Sequence, residues 1–286
     1  MALIHLDFES QYCNSNQDVY IIMPDRNRAV DAKAFYTPGK KYKVLWLLHG
    51  TFGSYSDWIR KSNIELYACE KDLIVVMPGI ANTDYEPWDN LANGYDSCKY
   101  IVDELMPLVH SWLPASSVRE DNFVAGLSMG GGGAIKLAAN YPEKFGAAAI
   151  LSSCPRDLDG QREELEELFA MKRSELKTPE NQRKLRTYNQ MHRYDSVEEY
   201  LDSISNVWRK IDRMDRETLP RLFFSIGTED GGYANWLKWK AHAEEIGLEA
   251  EWHTGPGVHE WRVWERDIQL AIKFFGLDGE VMGNAF

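Results

Sequence analysis

Long apolar runs are missing from this 286-residue chain: none approaches the roughly 20 residues that a membrane-spanning helix needs. Its first residues, MALIHLDFESQYCN, have neither the basic start nor the long apolar stretch of a secretory leader, so a soluble, cytoplasmic protein is expected. Positive charge is scarce as well. Against 44 acidic side chains stand 32 Lys and Arg, and the net charge of -12 repels a phosphate backbone or an anionic membrane, which argues against a nucleic-acid or membrane partner. Cysteine is sparse and scattered. Cys13, Cys69, Cys98 and Cys154 form no CxxC pair, a pattern of buried free thiols rather than of a disulfide framework or zinc site. Gly130 to Gly133 are not followed by the lysine of a P-loop, and no GxGxxG frame fits them. His259-Glu260-Trp261-Arg262-Val263 opens like HExxH but lacks the second histidine. Neither an organic cofactor nor a metal is therefore expected.

The chain also lacks linkers, internal repeats and low-complexity segments, so residues 1–286 read as one domain. Alternation at Ile4-Leu6-Phe8, then Val19-Tyr20-Ile21-Ile22, suggests an antiparallel start. From Val44 the pattern changes to short continuous apolar runs, as expected of strands covered on both faces: Val44–Leu48, Leu73–Met77, Phe123–Ala125, Ala147–Leu151 and Leu222–Ile226. Helical periodicities lie between them. Ile101, Leu105, Leu108 and Trp112 share one face, with Pro107 as a kink or first turn. Trp236, Trp239, Ala243 and Ile246 share another, ended by Gly247. This alternation predicts an α/β fold with a mostly parallel, doubly wound sheet and a ligand site beyond the carboxyl ends of its strands.

Residues 155–220 break the rhythm, with no convincing strand and two charged amphipathic helices. Ser196 with Glu199 forms a capping-box pattern, and Val197, Tyr200, Leu201, Ile204, Trp208 and Ile211 recur at helical spacing as one helix. An insertion here would sit over the strand ends, either as a helical cap on a substrate pocket or as a packed decoration.

Gly126-Leu127-Ser128-Met129-Gly130 follows the Phe123-Val124-Ala125 strand and precedes a glycine-rich helix start. A serine hydroxyl is a weak nucleophile. It gains reach when a tight strand-to-helix turn lifts it towards a histidine and backbone N–H donors, and the flanking glycines permit that turn. An acid and then a histidine should follow, each after a strand. Gly227-Thr228-Glu229-Asp230-Gly231 supplies the acid, and Asp230, before Gly231, suits the tight loop better than Glu229, although either can cap the following helix. Of seven histidines, His259 in Gly255-Pro256-Gly257-Val258-His259 has the required order and loop. His5 precedes the serine, His110 and His242 fall in helices, His192 lies in the insertion, and His253 is at a strand. The expected catalytic set is Ser128, Asp230 and His259. His49-Gly50-Thr51-Phe52-Gly53 after the Val44 strand offers an oxyanion donor, Thr51 before its neighbour Phe52, with the Met129 N–H as the second; His49 reads as a structural residue of the turn.

With HGTFGSYSDW, GLSMGG, GTEDGGY and GVHEWRVWE in this order, the chain resembles the esterase D-like branch of the α/β-hydrolases, and within it the bacterial intracellular tributyrin esterases, from about Tyr20 to Phe275. Related members include feruloyl and acetyl xylan esterases, S-formylglutathione hydrolases and mycolyltransferases; Leu127 stands where the formylglutathione enzymes usually have histidine. The resemblance implies an α/β-hydrolase fold and hydrolysis of carboxylic esters by Ser128, Asp230 and His259 through an acyl-enzyme. Short-chain esters are the expected substrates, including acetyl or feruloyl groups on carbohydrate. Phe52, Trp58, Trp88 and Trp261 are expected beside the site, since aromatic faces pack on sugar rings. Acyl transfer, a formylglutathione-type thioesterase and a silent hydrolase-fold binding protein are the alternatives, and the chain is compatible with a homo-oligomer.

Overall fold

The computed structural model describes residues 2–277 except 27, 90, 92, 179 and 180. One eight-stranded sheet forms the frame, in the order β1 (Ala2–Ser10), β2 (Ser15–Met23), β4 (Ile74–Pro78), β3 (Val44–Leu48), β7 (Asn122–Leu127), β8 (Ala147–Leu151), β9 (Arg221–Gly227) and β10 (Glu251–Gly255). From β4 to β10 the neighbours run parallel, while β1 pairs with β2 and β2 with β4 antiparallel. Every residue of β3, β4, β7 and β8 is buried, as the continuous apolar runs predict for strands covered on both faces. β5 (Pro87–Trp88) and β6 (Tyr95–Asp96) form a small hairpin apart from this sheet. This is the α/β-hydrolase fold.

Two expected helices differ in detail. Ahead of Pro107 the chain winds as a π-helix over Tyr100–Leu105 before Met106–Trp112 continues as an α-helix. The wider turn shifts the buried stripe to Ile101, Val102, Leu105, Met106 and Val109, and turns Trp112 out to 69% exposure. The helix read through Ile204 is two pieces, Val197–Leu201 and Val207–Arg213, because Asn206 caps a new start by accepting the Arg209 N–H at 3.2 Å. Only half of the capping box forms: Ser196 Oγ accepts the Glu199 N–H, whereas the Glu199 carboxylate takes the N–H of Asp195.

Between β8 and β9, the described residues of 155–220 include four α-helices, Arg162–Ala170 and Gln182–Met191 preceding these two. Leu158, Leu165, Leu168, Met191, Tyr200 and Leu201 belong to a small core of their own. Val207, Trp208 and Ile211 join the main core instead, so the last helix of the insertion is welded to the sheet side.

Candidate active site

β7 ends at Leu127, and Ser128 turns the chain directly into the Met129–Asn140 helix. Its backbone is held at φ 53°, ψ -118°, a conformation that side chains rarely adopt. The strain is locked in by neighbours: the Ser128 N–H donates to Leu151 O at 2.8 Å, and its carbonyl accepts the Gly132 N–H at 3.0 Å. A Cβ on Gly126 would lie 2.3 Å from Gly130 O, and one on Gly130 2.5 Å from Leu48 O. The turn is tight enough to admit only glycine two residues before and two residues after the serine.

Two further strand ends bring the other groups. The loop after β9 carries Asp230, whose side chain is 4% exposed, and the loop after β10 carries His259. His259 Nδ1 lies 2.7 Å from Asp230 Oδ2, and His259 Nε2 lies 2.9 Å from Ser128 Oγ. A buried carboxylate can only accept, so Nδ1 carries the proton and Nε2 is left to accept from the serine hydroxyl. The second carboxylate oxygen, Oδ1, accepts the Gly232 N–H at 2.8 Å. Glu229, the neighbouring acid, faces elsewhere: its carboxylate accepts the Gly257 N–H, which holds its pKa below the usual value. It thereby ties the loop after β9 to the loop that carries His259.

The turn after β3 lies against the same serine. Thr51 lines the cavity with Ser128 and Met129. The Phe52 N–H is engaged by Asn82 Oδ1 at 2.8 Å, whereas the Thr51 N–H has no acceptor among the described residues. Met129 opens a helix, where the first N–H groups lack intrahelical partners. His49 is buried beneath this turn, accepting the Ile80 N–H at Nε2 (3.0 Å) and donating from Nδ1 to Gly50 O (2.8 Å). Burial lowers its pKa, and it stays neutral.

None of the four aromatic residues expected at the substrate lines this cavity of about 350 Å³. Trp58 is buried and donates its indole N–H to Leu48 O at 3.1 Å. Its ring meets Trp261 edge-on, Trp261 meets Trp264, and Trp264 meets the His259 ring. These indoles thus form an edge-on chain that ends on the His259 ring. Phe52 is 91% exposed, and Trp88 is covered by the Arg193 guanidinium 4.8 Å from its ring centre. Sequence order had put them near the strand ends without saying which way they point.

Charged groups that sequence reasoning did not find do line the cavity. Glu86, 2% exposed, pairs with Lys136 Nζ and Arg193 Nη2, each at 2.5 Å. Asp84 pairs with Arg186 and Gln190 of the insertion. Lys136, a lone charge among small and apolar residues of the helix after Ser128, was the only signal for them. Among the described residues no group of three or more metal-ligating side chains occurs, and no helix is long and apolar enough to cross a membrane.

The fold and the strand-end site define an α/β-hydrolase, and comparison with known proteins agrees. Residues 10–275 match the model of the Putative esterase family, and the chain belongs to that family. A curated acetyl esterase of Caldicellulosiruptor saccharolyticus is 23% identical over 289 residues, covering 96% of this chain and 98% of the relative. Among solved structures, the substrate-bound fluorophosphonate-binding serine hydrolase F of Staphylococcus aureus superposes with a TM-score of 0.77 at 26% identity, covering 97% of this chain and 99% of that one. The S-formylglutathione hydrolase of the same organism gives 0.75 and 26%, covering 96% and 98%. The protein is a carboxylic-ester hydrolase.

Proposed function

We propose that the protein is a serine esterase for short-chain acyl esters, acting through Ser128, His259 and Asp230. The observation that carries this reading is His259 held between Asp230 at 2.7 Å and Ser128 Oγ at 2.9 Å. Ser128 Oγ attacks the ester carbonyl while His259 Nε2 takes its proton, and Asp230 stabilises the imidazolium. The N–H groups of Thr51 and Met129 receive the oxyanion; the bond from the Phe52 N–H to Asn82 supports Thr51 over Phe52 as the donor. Collapse of the tetrahedral species expels the alcohol with the proton from His259 and leaves an acyl-serine. Water, deprotonated by the same nitrogen, then attacks, and the second collapse releases the acid and returns the proton to Ser128. Residues 155–220 act as the cap, since Arg156, Arg186, Gln190 and Tyr200 form one wall of the cavity.

The acetyl esterase relative favours a small acyl group. Stacking on sugar rings loses its motive, because no tryptophan of the expected set lines the cavity. A thioester reading draws on the likeness to the S-formylglutathione hydrolase and is separated by comparing S-formylglutathione with ester substrates. The test is turnover of p-nitrophenyl acetate, butyrate and octanoate by wild type, Ser128→Ala and His259→Ala. Both variants should lose several orders of magnitude of kcat, on the order of 10⁶-fold where the residues act as a unit. A folded His259→Ala enzyme with wild-type turnover would overturn the assignment.

A further inference from the structure

The carboxylates at the Ser128 cavity are outnumbered and fully engaged. Glu86 uses one oxygen for Lys136 and the other for Arg193. Asp84 uses both for Arg186 and Gln190. Arg156 lines the same cavity and has no carboxylate partner among the described residues; its Nη2 donates only to Gln161 Oε1 at 3.2 Å. Three cations that line the cavity, Lys136, Arg156 and Arg186, thus face its two anions in a chain whose net charge is -12, and Glu86 is further neutralised by the buried Arg193. Such a local reversal attracts an anion against the field of the rest of the molecule.

Two hydroxyls in the same cavity are idle. Tyr200 is 1% exposed, and its hydroxyl makes no hydrogen bond among the described residues. Ser205 Oγ is buried without a partner among the described residues. A buried hydroxyl is nearly always hydrogen-bonded, so the unmatched Ser205 Oγ, in a cavity lined also by Tyr200 and by a guanidinium without a carboxylate partner, marks a place made for an acceptor. A guanidinium, which can only donate, together with two hydroxyls that can donate, suits an anion better than a metal ion or a cationic substrate.

We propose that Arg156, Tyr200 and Ser205 form a subsite for a carboxylate on the substrate, so that the enzyme prefers esters bearing a negative charge a few bonds from the reacting carbonyl. This rests on the esterase reading above. A guanidinium binds a carboxylate through two parallel N–H bonds, and each hydroxyl can donate one more.

The charge can lie on either side of the ester, and matched pairs separate the two. 4-Nitrophenyl hydrogen succinate against its methyl ester carries it on the acyl side; 4-acetoxybenzoate against methyl 4-acetoxybenzoate carries it on the alcohol side. In at least one pair, Arg156→Gln should lower kcat/KM for the anionic member by about ten- to a hundred-fold more than for the neutral one, the loss of hydrogen bonds to a charged group. The loss should fall mainly on KM, shrink as salt is raised, and be smaller in Arg156→Lys. Ser205→Ala, which removes one neutral donor, should show the same bias with smaller size. Equal losses for both members in both pairs, or none, overturn the subsite. Failure of the esterase reading looks different: the neutral esters would then resist the wild type as well.

Discussion

Ser128, the proposed nucleophile, is held under strain. Its φ of 53° costs roughly 1–3 kcal/mol in a residue with a Cβ, and the hydrogen bond to Leu151 O helps to keep it there. Glycine adopts the same conformation without that cost. Ser128→Gly should therefore lose esterase activity yet melt at least about 2 °C above Ser128→Ala, given roughly 2–4 °C per kcal/mol for domains of this class; equal melting temperatures would show that the strain is relaxed elsewhere. His49 carries a different residue-level consequence. Burial depresses its pKa below the ordinary 6.5, so the unfolded chain takes up a proton before the folded one does. Stability from this group is complete above about pH 6.5 and is lost as the pH falls below it towards the depressed value. Protonation would also set a second N–H against that of Ile80. Between pH 7 and 5.5 the wild type should lose more melting temperature than His49→Gln, whose amide does not titrate in this range.

At the level of elements, the site is where strand ends meet. β9 and β10 run in parallel with Gly227 opposite Gly255, and a Cβ on Gly227 would come within 2.0 Å of Gly257 O. The loop carrying His259 therefore rests directly on the end of β9, and the Thr228 N–H to Gly255 O and Glu229 N–H to Gly257 O bonds fasten it there. Gly227→Ala must push this loop away. An ångström of misplacement is enough for about 100-fold in kcat, so we expect at least that loss with the fold retained, measured by p-nitrophenyl acetate turnover alongside circular dichroism. The sequence placed Asp230 and His259 in these loops because each follows an apolar run closely. It left Glu229 and Asp230 as rivals, because two adjacent carboxylates in a loop differ only in direction. Within the insertion, Asn206 interrupts a periodicity that otherwise reads as one helix, because a side chain that caps is indistinguishable in pattern from one that merely tolerates a helix.

At the scale of the whole molecule, buried charge joins the insertion to the sheet domain. Glu86, in the segment after β4, holds Lys136 of the helix after Ser128 and Arg193 of the insertion. Val207, Trp208 and Ile211 extend the main core into the same insertion. Removing one partner from such a cluster leaves a charge buried and unpaired, at about 3–5 kcal/mol. The insertion and the sheet domain should consequently unfold together: tryptophan fluorescence and far-ultraviolet circular dichroism should give coincident denaturant curves. An early transition confined to proteolytic cleavage within residues 155–220 would show instead that the insertion opens by itself.

Sequence alone determined the alternation of strands and helices, the GxSxG turn and the order of serine, acid and histidine. These depend on local patterns of apolar residues and glycine that any fold of this chain must respect. Tertiary structure decided what depends on direction and distant partners. It turned Asp230 rather than Glu229 to His259, and engaged the Phe52 N–H with Asn82. It linked Trp58 and Trp261 through Trp264 to the His259 ring, and gathered Glu86, Lys136 and Arg193 from three separate stretches of chain. A side chain's orientation and its long-range pairing arise only when the strands are packed, so no reading along the chain could contain them.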